Sequence, residues 1–351
     1  MRHWIDGAEA AGDARERIGV VNPATATVIG DAPAGTAADV DPAVAAAQRA
    51  LPLWSAVPPG ERAAAVTRIA DGIKGALDDF AATVTAAMGS PISYAKTVQA
   101  ELPAQVAATF AAVADGFVWE EELGNALVMR EPIGVVGAIT PWNAPLYQTV
   151  AKVASALLAG CTVVLKPSVA TPLTAALFAE VTAAAGIPPG VFNIVYGSGS
   201  VVGEAIYAHP GVHMVSFTGS TGAGKQVSIG ATGTVKRVAM ELGGKSANVI
   251  LNDADLQTNL LSWPHPLDKE TADTLRRWLD VRARHHQAAR RNRSRLPVDP
   301  DQARPPLPRR GTPQARTDPG RGAHSARRTP TLVTQVFGAP LRPGALLLSR
   351  P

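Results

Sequence analysis

The chain has 351 residues, enough for about two domains, and its 46% hydrophobic content excludes a wholly disordered protein. Its single cysteine, Cys161, excludes a disulfide framework and a thiolate metal cluster, and we expect no metal site. The first ten residues lack a secretory signal, and the longest apolar stretch, 156–165, is interrupted by small and polar residues. We therefore expect a cytoplasmic protein without membrane contact.

Charge divides the sequence into two parts. Residues 1–256 carry 15 Lys and Arg against 22 Asp and Glu, a net charge of −7, whereas residues 257–351 carry 18 against 7, a net charge of +11. The second part contains 17 Arg and 13 Pro but no Ile, Met or Tyr. A segment so poor in large apolar residues cannot offset the entropy of ordering itself. We predict a non-globular tail over 257–351.

Two interpretations of this tail remain open. Clustered arginine attracts phosphate, which would suit a tail that contacts nucleic acid. The tail has no aromatic–basic interleaving and no recognisable nucleic-acid module, however, so nucleic acid is not the expected partner. A shifted reading frame in GC-rich DNA also yields mostly Arg, Pro, Ala and Gly codons. The composition favours this frameshift interpretation.

Before residue 133 the pattern predicts extended segments followed by scaffold helices. The chain opens with turn-rich segments at 4–7 and 20–25. Helical spacing over 39–51 follows, punctuated by Pro58-Pro59-Gly60. Apolar residues at every third or fourth position over 66–84 predict one long helix, and a weaker pattern of this kind covers 102–119.

From residue 133 onward, short β-rich runs alternate with helices. Helices are predicted at 145–158 and 172–185, each stopped by a glycine. Apolar strands separated by helices predict a parallel sheet covered on both faces, and crossover handedness makes this a doubly wound α/β domain. The predicted strands are 133–139, 162–165, 191–195, 213–217, 235–240 and 247–251.

Polar residues and glycines follow five of the predicted strands. In open α/β sheets, ligands bind beyond the carboxyl ends of the strands. These five segments therefore predict one binding edge. The segments are 140–143, 166–168, 196–199, 218–225 and 241–246.

The glycine-rich segment 219–224 is predicted at a strand-to-helix turn, where free N–H groups favour a nucleotide diphosphate. A glycine-rich turn without a ligand is the alternative. Lys166 could reach a ribose or phosphate, or it could be an ordinary surface lysine. The segment also matches a P-loop up to Gln226, which stands where Ser or Thr must bind magnesium, so an NTPase is not expected.

Two further residues on this edge could carry chemistry. Glu241, followed by two glycines, is predicted on a tight turn, where a carboxylate with a pKa raised by burial could act as a general base. A salt-bridged surface glutamate is the alternative. The Asn143 amide could stabilise an oxyanion, or it could bond its own backbone in a turn.

Four strings in register resemble the aldehyde dehydrogenase superfamily: Ile-Thr-Pro-Trp-Asn at 139–143, Val-Leu-Lys-Pro-Ser at 164–168, Phe-Thr-Gly-Ser-Thr at 217–221 and Met-Glu-Leu-Gly-Gly-Lys-Ser at 240–246. The resemblance covers about residues 1–256. It implies a Rossmann-like dinucleotide-binding domain and the oxidation of a small aldehyde to a carboxylic acid with NAD⁺ or NADP⁺. In that family a cysteine thiolate attacks the aldehyde, hydride leaves for the nicotinamide, and a glutamate activates the water that hydrolyses the thioester.

The resemblance also implies roles for individual residues. Glu241 would be the general base, Asn143 would hold the oxyanion, and Lys166 would bind the adenosine ribose. The family homo-oligomer would use a hairpin within 120–132 and a C-terminal strand that this chain lacks, so its interface would be incomplete. The other cofactor-binding residues implied are Thr140, Trp142, Ser168, Gly219, Ser220, Gly224 and Leu242.

Two departures from the family pattern alter this expectation. Val169 stands where the family often has a glutamate that bonds the ribose, which predicts reduced discrimination between NAD⁺ and NADP⁺. The family nucleophile lies beyond the Glu241 motif in a glycine- and glutamine-rich loop, yet residues 272–278 contain no cysteine. The lineage is therefore that of an aldehyde dehydrogenase, whereas the chain itself is predicted to be an inactive dinucleotide-binding remnant without the family's catalytic domain.

Overall fold

A computed structural model describes residues 1–11 and 16–244. The predicted tail at 257–351 and the predicted strand at 247–251 lie outside the described residues. The strands are β1 His3–Ile5, β2 Ala8–Ala10, β3 Arg17–Val21, β4 Val28–Pro33, β5 Glu120–Leu123, β6 Ala126–Met129, β7 Val135–Ile139, β8 Thr162–Lys166, β9 Phe192–Ile194, β10 Met214–Gly219 and β11 Arg237–Leu242. The α-helices are α1 Val40–Ser55, α2 Pro59–Gly75, α3 Leu77–Met88, α4 Ile92–Tyr94, α5 Leu102–Val113, α6 Pro145–Leu158, α7 Pro172–Ala184, α8 Glu204–Ala208 and α9 Thr221–Ala231.

Seven of these strands form one sheet in the order β11-β10-β7-β8-β9-β1-β2. Strands β7 to β11 pair in parallel, which confirms the predicted doubly wound α/β fold. The sheet is not wholly parallel, because β1 pairs antiparallel with both β9 and β2. The opening segment was predicted as extended but not as part of this sheet; it adds two strands beside the short β9.

The strand order reverses between β7 and β10. The chain runs from β7 to β8 and β9 on one side, then returns to place β10 and β11 on the other side of β7. At such a reversal the two crossover connections leave the sheet on opposite faces, which opens a crevice at the carboxyl ends of the strands. The crevice of this sheet therefore lies where β7 and β10 end.

Alternate residues of the central strands point to two different layers. Val163 and Leu165 belong to a buried cluster with α2, α3, α5, α6 and α7. Val164, between them, belongs to a second cluster with α1, α8 and α9 on the opposite face. This period of two is what a strand buried on both faces requires.

The pattern at 66–84 forms two helices, α2 and α3, so the prediction of one long helix is wrong. Ala76 separates them with φ −104° and ψ 22°, and its N–H donates to the Gly72 carbonyl. Val66 and Phe80, on either side of the break, are both fully buried. The apolar spacing continues from α2 into α3 because the break between these helices is only one residue long.

The strand predicted at 235–240 begins later, because Val235 belongs to the preceding helix end. Its N–H donates to the Thr232 carbonyl, and the Lys236 N–H donates to the Ala231 carbonyl. Val235 has φ 53° and is 91% exposed. A left-handed residue that closes a helix cannot also pair in a sheet, so β11 starts at Arg237.

The glycine stops were predicted correctly. Helix α6 spans Pro145–Leu158, and Gly160 follows at φ 84°. Helix α7 ends at Ala184, one residue earlier than predicted, before Gly186 at φ 77°. In the described part of the chain, no helix combines the length and the apolarity needed to cross a bilayer.

Candidate functional site

The carboxyl ends of the parallel strands bring together several of the predicted site residues. Thr140, directly after β7, is 4% exposed, and its N–H donates to the carbonyl of Lys166, the last residue of β8, at 3.2 Å. On the other side of the reversal, Thr218 of β10 pairs in register with Glu241 of β11. The four strand ends thus form one continuous edge around the crevice.

Lys166 is buried, so its interpretation as an ordinary surface lysine is wrong. Its Nζ donates to the carbonyl of Pro167 at 2.9 Å and to that of Gly197 at 3.2 Å. Burial lowers the pKa of this ammonium to about 8. A lysine has three N–H donors, and these two bonds use two of them. Among residues 1–11 and 16–244, the third N–H has no hydrogen-bond partner.

The glycine-rich segment is tighter than predicted. Gly219 is the last residue of β10 and α9 begins at Thr221, so Ser220 alone connects them. The Ser220 hydroxyl caps the helix by accepting the Ala223 N–H at 3.2 Å. A loop of one residue cannot wrap a phosphate as a P-loop does, but it presents the start of α9 to the edge. This geometry counts against the NTPase alternative.

Gly224 has a packing role at this helix start. It is buried in the first turn of α9, and a Cβ there would lie 2.5 Å from the Leu242 Cδ2. Leu242, the last residue of β11, is itself 44% exposed. The absence of a side chain at Gly224 therefore lets the end of β11 pack closely against α9.

The prediction that Glu241 lies on a tight turn is wrong. It is inside β11, and its side chain is exposed within the described residues. The strand continues to Leu242 because β10 supplies a pairing partner as far as Gly219. Lys245, the salt-bridge partner considered for Glu241, lies outside the described residues.

Asn143 follows β7 in the segment that leads to α6, and its side chain is exposed. Its main-chain carbonyl accepts a hydrogen bond from Gln99 Nε2 at 3.1 Å. Gln99 is 4% exposed and lies in a π-helical segment, Ala95–Glu101. Trp142, beside Asn143, is 56% exposed. Among the described residues the Asn143 side chain has no hydrogen-bond partner, whereas its main-chain carbonyl is held by Gln99.

The Ser168 hydroxyl makes its hydrogen bond within its own turn. Its hydroxyl accepts the Ala170 N–H at 3.2 Å, just before α7 begins. Val169 is 36% exposed at the surface of the same turn. This turn follows Lys166 directly in the chain, so the residue at position 169 lies at the surface close to this lysine.

Lys152 and its partner Ser216 were missed by the sequence analysis. Lys152, in α6, is 8% exposed, and its Nζ donates to the Ser216 hydroxyl of β10 at 3.3 Å. Burial lowers the pKa of Lys152 to about 8, and the charge of Glu241 opposes this shift. The available signal was a single lysine within the apolar run 150–154 of a buried helix.

Cys161 lies at the opposite edge of the sheet. It directly precedes β8, whereas Lys166 ends the same strand, and it is 3% exposed. Burial raises the pKa of the Cys161 thiol, and the backbone at Gly134 and Ile133 and the charge of Arg62 only partly oppose this shift. A buried thiol with a raised pKa at the amino edge is structural.

The fold and the edge define a doubly wound α/β protein whose candidate site lies at the reversal of strand order. The aldehyde dehydrogenase family model matches residues 10–262. The chain belongs to this family. Over 261 residues it is 48% identical to a 3-succinoylsemialdehyde-pyridine dehydrogenase of a Pseudomonas species, which covers 73% of this chain and 54% of the relative.

Solved structures agree with this assignment. A mutant of aldehyde dehydrogenase C from Pseudomonas syringae, in complex with NAD⁺ and octanal, is similar with a TM-score of 0.73 and 45% identity over 75% of this chain and 55% of that one. An NADP-dependent enzyme of E. coli is similar with a TM-score of 0.71 and 36% identity over 74% of this chain and 55% of that one. The chain spans about half the length of the relatives that it matches.

Proposed function

We propose that residues 1–256 bind NAD⁺ or NADP⁺ at the carboxyl edge of the sheet, as the nucleotide-binding part of an aldehyde dehydrogenase, and that this chain does not itself oxidise aldehydes. The observation that carries the binding proposal is that the buried Lys166 ammonium, at the end of β8, and the start of α9, directly after β10, lie at the same edge of the sheet on either side of β7. A cation and a helix N-terminus are the two groups that a dinucleotide's hydroxyls and diphosphate require.

The residues present fit a dinucleotide. Lys166 has a third donor for a ribose hydroxyl, and the first turn of α9 has main-chain N–H groups without intrahelical partners for a diphosphate. The hydroxyl of Thr218, at the end of β10, is buried and has no hydrogen-bond partner within the described residues. An unpaired buried hydroxyl is unfavourable, so a polar group entering the crevice would satisfy it.

The remaining proposed contacts follow the edge from the lysine to β11. Ser168 and Val169 would flank the adenosine end, beside Lys166. Gly219, Ser220 and Gly224 would underlie the diphosphate. Thr140, Trp142 and Leu242 would line the channel toward the nicotinamide.

When bound, the nicotinamide supplies an acceptor for hydride. In this proposal the exposed amide of Asn143 would donate to an oxyanion at this edge. The exposed carboxylate of Glu241 would take a proton from water. The charge of Glu241 acts on the buried Lys152 ammonium, so a cation lies near this carboxylate.

What the chain lacks is the nucleophile. Cys161 is the only cysteine, and it is buried at the other edge of the sheet, away from Asn143 and Glu241. Without a thiolate at the carboxyl edge, the aldehyde cannot form a covalent thiohemiacetal with the chain. The species that would donate hydride to the nicotinamide is then absent. We infer that the chain is an inactive dinucleotide-binding remnant of an aldehyde dehydrogenase lineage.

Two measurements on the purified chain test this function. Isothermal titration calorimetry with NAD⁺ should show binding, and absence of binding would refute the cofactor site. Mixing the chain with NAD⁺ and an aliphatic aldehyde should give no more NAD(P)H than a heat-killed control. Aldehyde-dependent reduction above that control would refute the inactivity.

Cofactor choice should be weakly selective. Val169 offers neither a carboxylate to accept from ribose hydroxyls nor a negative charge to repel a 2′-phosphate. Relatives of both kinds occur among the similar structures, one in complex with NAD⁺ and one described as NADP-dependent. Titrating both cofactors into the wild-type chain and into Val169→Glu tests this, because only the variant should prefer NAD⁺. An unchanged ratio of affinities would refute the role of this position.

The hairpin of β5 and β6 is the proposed site of oligomer formation. All eight of its strand residues are exposed, including Leu123 at 64% and Met129 at 55%. Exposed apolar strand residues of this kind favour burial against another surface. Light scattering after size exclusion should show self-association that Leu123→Lys weakens; a strictly monomeric wild-type chain would contradict it.

The frameshift origin of residues 257–351 can be tested on the coding DNA. If another frame beyond codon 256 encodes a glycine- and glutamine-rich loop with a cysteine, a frameshift is established. If no frame does, the result favours a genuine tail. The cytoplasm is the compartment that we expect in either case.

A further inference from the structure

His3, in the first strand of the chain, is fully buried. Its Nδ1 accepts the main-chain N–H of Tyr196 at 3.1 Å, and its ring stacks on the Tyr196 ring with centroids 6.1 Å apart and planes 16° apart. The sequence analysis gave this histidine no role. It joins the N-terminal hairpin to the segment that follows β9 on the candidate site's edge.

The hydrogen bond fixes the state of the imidazole. Because Nδ1 accepts, it carries no hydrogen, so the single ring hydrogen of neutral His3 is on Nε2. Nε2 faces Asp39 Oδ2 at 3.7 Å, beyond hydrogen-bond length. The Asp39 carboxylate accepts instead from the Thr36 N–H at 2.7 Å and the Thr36 hydroxyl at 3.0 Å.

Two charged side chains, Asp39 and Arg17, act on the buried His3 ring, and the Tyr196 phenol faces it. Burial lowers the pKa of His3, the Asp39 carboxylate before α1 opposes this, and Arg17 of β3 adds to it. Tyr196 faces the ring from the end of β9, and burial raises the pKa of its phenol, with Glu9 and Glu180 acting in the same direction. The folded chain therefore favours the neutral imidazole that accepts from Tyr196.

Tyr196 leads directly to the lysine of the candidate site. The next residue, Gly197, accepts from Lys166 Nζ at 3.2 Å. A Cβ on Gly197 would collide with Val202, and a Cβ on Gly35 would collide with the Tyr196 carbonyl. Segment 196–197 is thus closely packed against Gly35 and Val202. The His3 ring accepts the main-chain N–H of Tyr196, the first residue of this segment.

We propose that His3 is a positioning residue for the nucleotide-binding edge: its neutral ring holds the Tyr196 main-chain N–H and so keeps segment 196–197 where the Gly197 carbonyl accepts from the Lys166 ammonium. This inference rests on the proposed role of Lys166 in binding the cofactor ribose. Protonation would place a hydrogen on Nδ1 against the Tyr196 N–H, since a donor cannot accept. Acid would then release the segment and, with it, the lysine.

Two substitutions separate this role from mere packing. His3→Asn keeps an acceptor at the δ position and cannot titrate, whereas His3→Leu removes the acceptor. In the full-length chain near neutral pH, we expect His3→Leu to lower the deuterium-exchange protection of residues 196–197 and to raise acetylation of Lys166 by sulfo-NHS-acetate, each roughly tenfold, the size of one lost hydrogen bond. His3→Asn should keep both close to wild type.

Acid dependence supplies the second arm. After correction for intrinsic exchange, wild type should lose protection at 196–197 as the pH falls below the ordinary histidine pKa of about 6.5, since burial lowers the pKa of His3. His3→Asn should not. An equal loss in wild type and His3→Asn would overturn the proposal, as would neutral-pH protection and acetylation in His3→Leu that match wild type.

The remaining outcomes are also decisive. If His3→Leu does not fold by circular dichroism, the acid dependence of wild type against His3→Asn still decides; an unfolded His3→Asn would refute the sufficiency of the acceptor. If wild type binds NAD⁺, His3→Leu should weaken that binding roughly tenfold. If wild type binds no NAD⁺, the proposed function fails, while exchange and acetylation still test the positioning role.

Discussion

Two buried cations lie at opposite edges of the same sheet, and both are 4% exposed. Arg62, from α2, lies near the end of α6, at the amino edge where β8 begins. Lys166 ends β8 at the carboxyl edge. Both donate to main-chain carbonyls, yet only Lys166 lies at the edge where we propose that the cofactor binds.

The difference lies in what the donors contact. Arg62 donates to Leu158 at 2.9 Å, to Ser55 at 3.3 Å and to the Val57 carbonyl, so it caps the ends of α6 and α1, and its guanidinium lies 5.3 Å from the centroid of the Trp119 ring. Carbonyls at helix ends carry partial negative charge and lack intrahelical partners. Lys166 contacts loop carbonyls instead, at the carboxyl edge of the sheet. What separates the two cations is therefore their place: Arg62 lies at helix ends on the amino edge, whereas Lys166 lies at the edge where open α/β sheets bind ligands.

Removing Arg62 should have the largest effect on stability. We expect Arg62→Met to lower the free energy of unfolding by about 3 kcal/mol, because the carbonyls of two helix ends lose their donors in a buried place. Urea denaturation followed by circular dichroism measures this. Arg68→Met is the matched control: Arg68 is exposed on the same helix and donates one bond to Ala185 at 2.8 Å.

The control should lose less than about 1 kcal/mol, as expected for one exposed hydrogen bond. Equal losses in Arg62→Met and Arg68→Met would contradict the structural role assigned to the buried arginine. So would a selective loss of NAD⁺ binding in Arg62→Met at unchanged stability.

Removing Lys166 should affect binding more than folding. We expect Lys166→Met to weaken NAD⁺ binding by roughly tenfold or more, the range for a hydrogen bond from a charged donor. Stability should fall less than in Arg62→Met, because the loss of the bonds to the Pro167 and Gly197 carbonyls is partly offset by removal of a desolvated charge. Calorimetry and thermal melting measure the two effects.

Lys74→Met serves as the control for this substitution. Lys74 is exposed on α2, away from the carboxyl edge, and pairs with Asp71 at 3.6 Å. It should leave NAD⁺ affinity unchanged. If Lys166→Met and Lys74→Met bind NAD⁺ equally, the distinction between the two buried cations fails.

The strands and helices around Lys166 were predictable because their signals are local. A proline at the first helical position and a glycine after the last turn delimit α6 in the sequence itself. The end of β11 was not predictable in this way. It runs through Glu241 because β10 pairs with it as far as Gly219, and a pairing partner is not visible in the segment alone.

The partners of the site residues were also beyond the sequence. Gln99 contacts Asn143 across 44 positions, and Lys152 contacts Ser216 across 64. Nothing within either segment specifies such a pair, since the contact exists only once the helices are packed on the sheet. Sequence patterns therefore located the edge, and the tertiary packing supplied what holds its side chains.

Through Lys166, a rise in pH should have opposite effects on NAD⁺ binding and on folding stability. Its pKa of about 8 lies below that of an unfolded lysine. As pH rises from about 7 to about 9.5, the ammonium deprotonates and NAD⁺ binding should weaken. Over the same range the unfolded state binds more protons at this site, so its contribution to folding stability should increase.

Titrations of wild type and Lys166→Met separate this response from the rest of the chain. The variant should lack both the loss of binding and the gain of stability that belong to Lys166. A wild-type affinity that stays constant across this pH range would show that the charged form does not bind the cofactor.

The smallest effect is expected at Cys161, close to Arg62 at the amino edge. We expect Cys161→Ala to lower the free energy of unfolding by about 1 kcal/mol, since one buried sulfur is lost from the core. NAD⁺ affinity should not change, because the length of β8 separates this thiol from Lys166. Calorimetry and urea denaturation of the variant test both statements. Reduced NAD⁺ binding at unchanged stability, or an aldehyde-derived adduct on Cys161 by mass spectrometry, would place chemistry at the edge that we assign to structure alone.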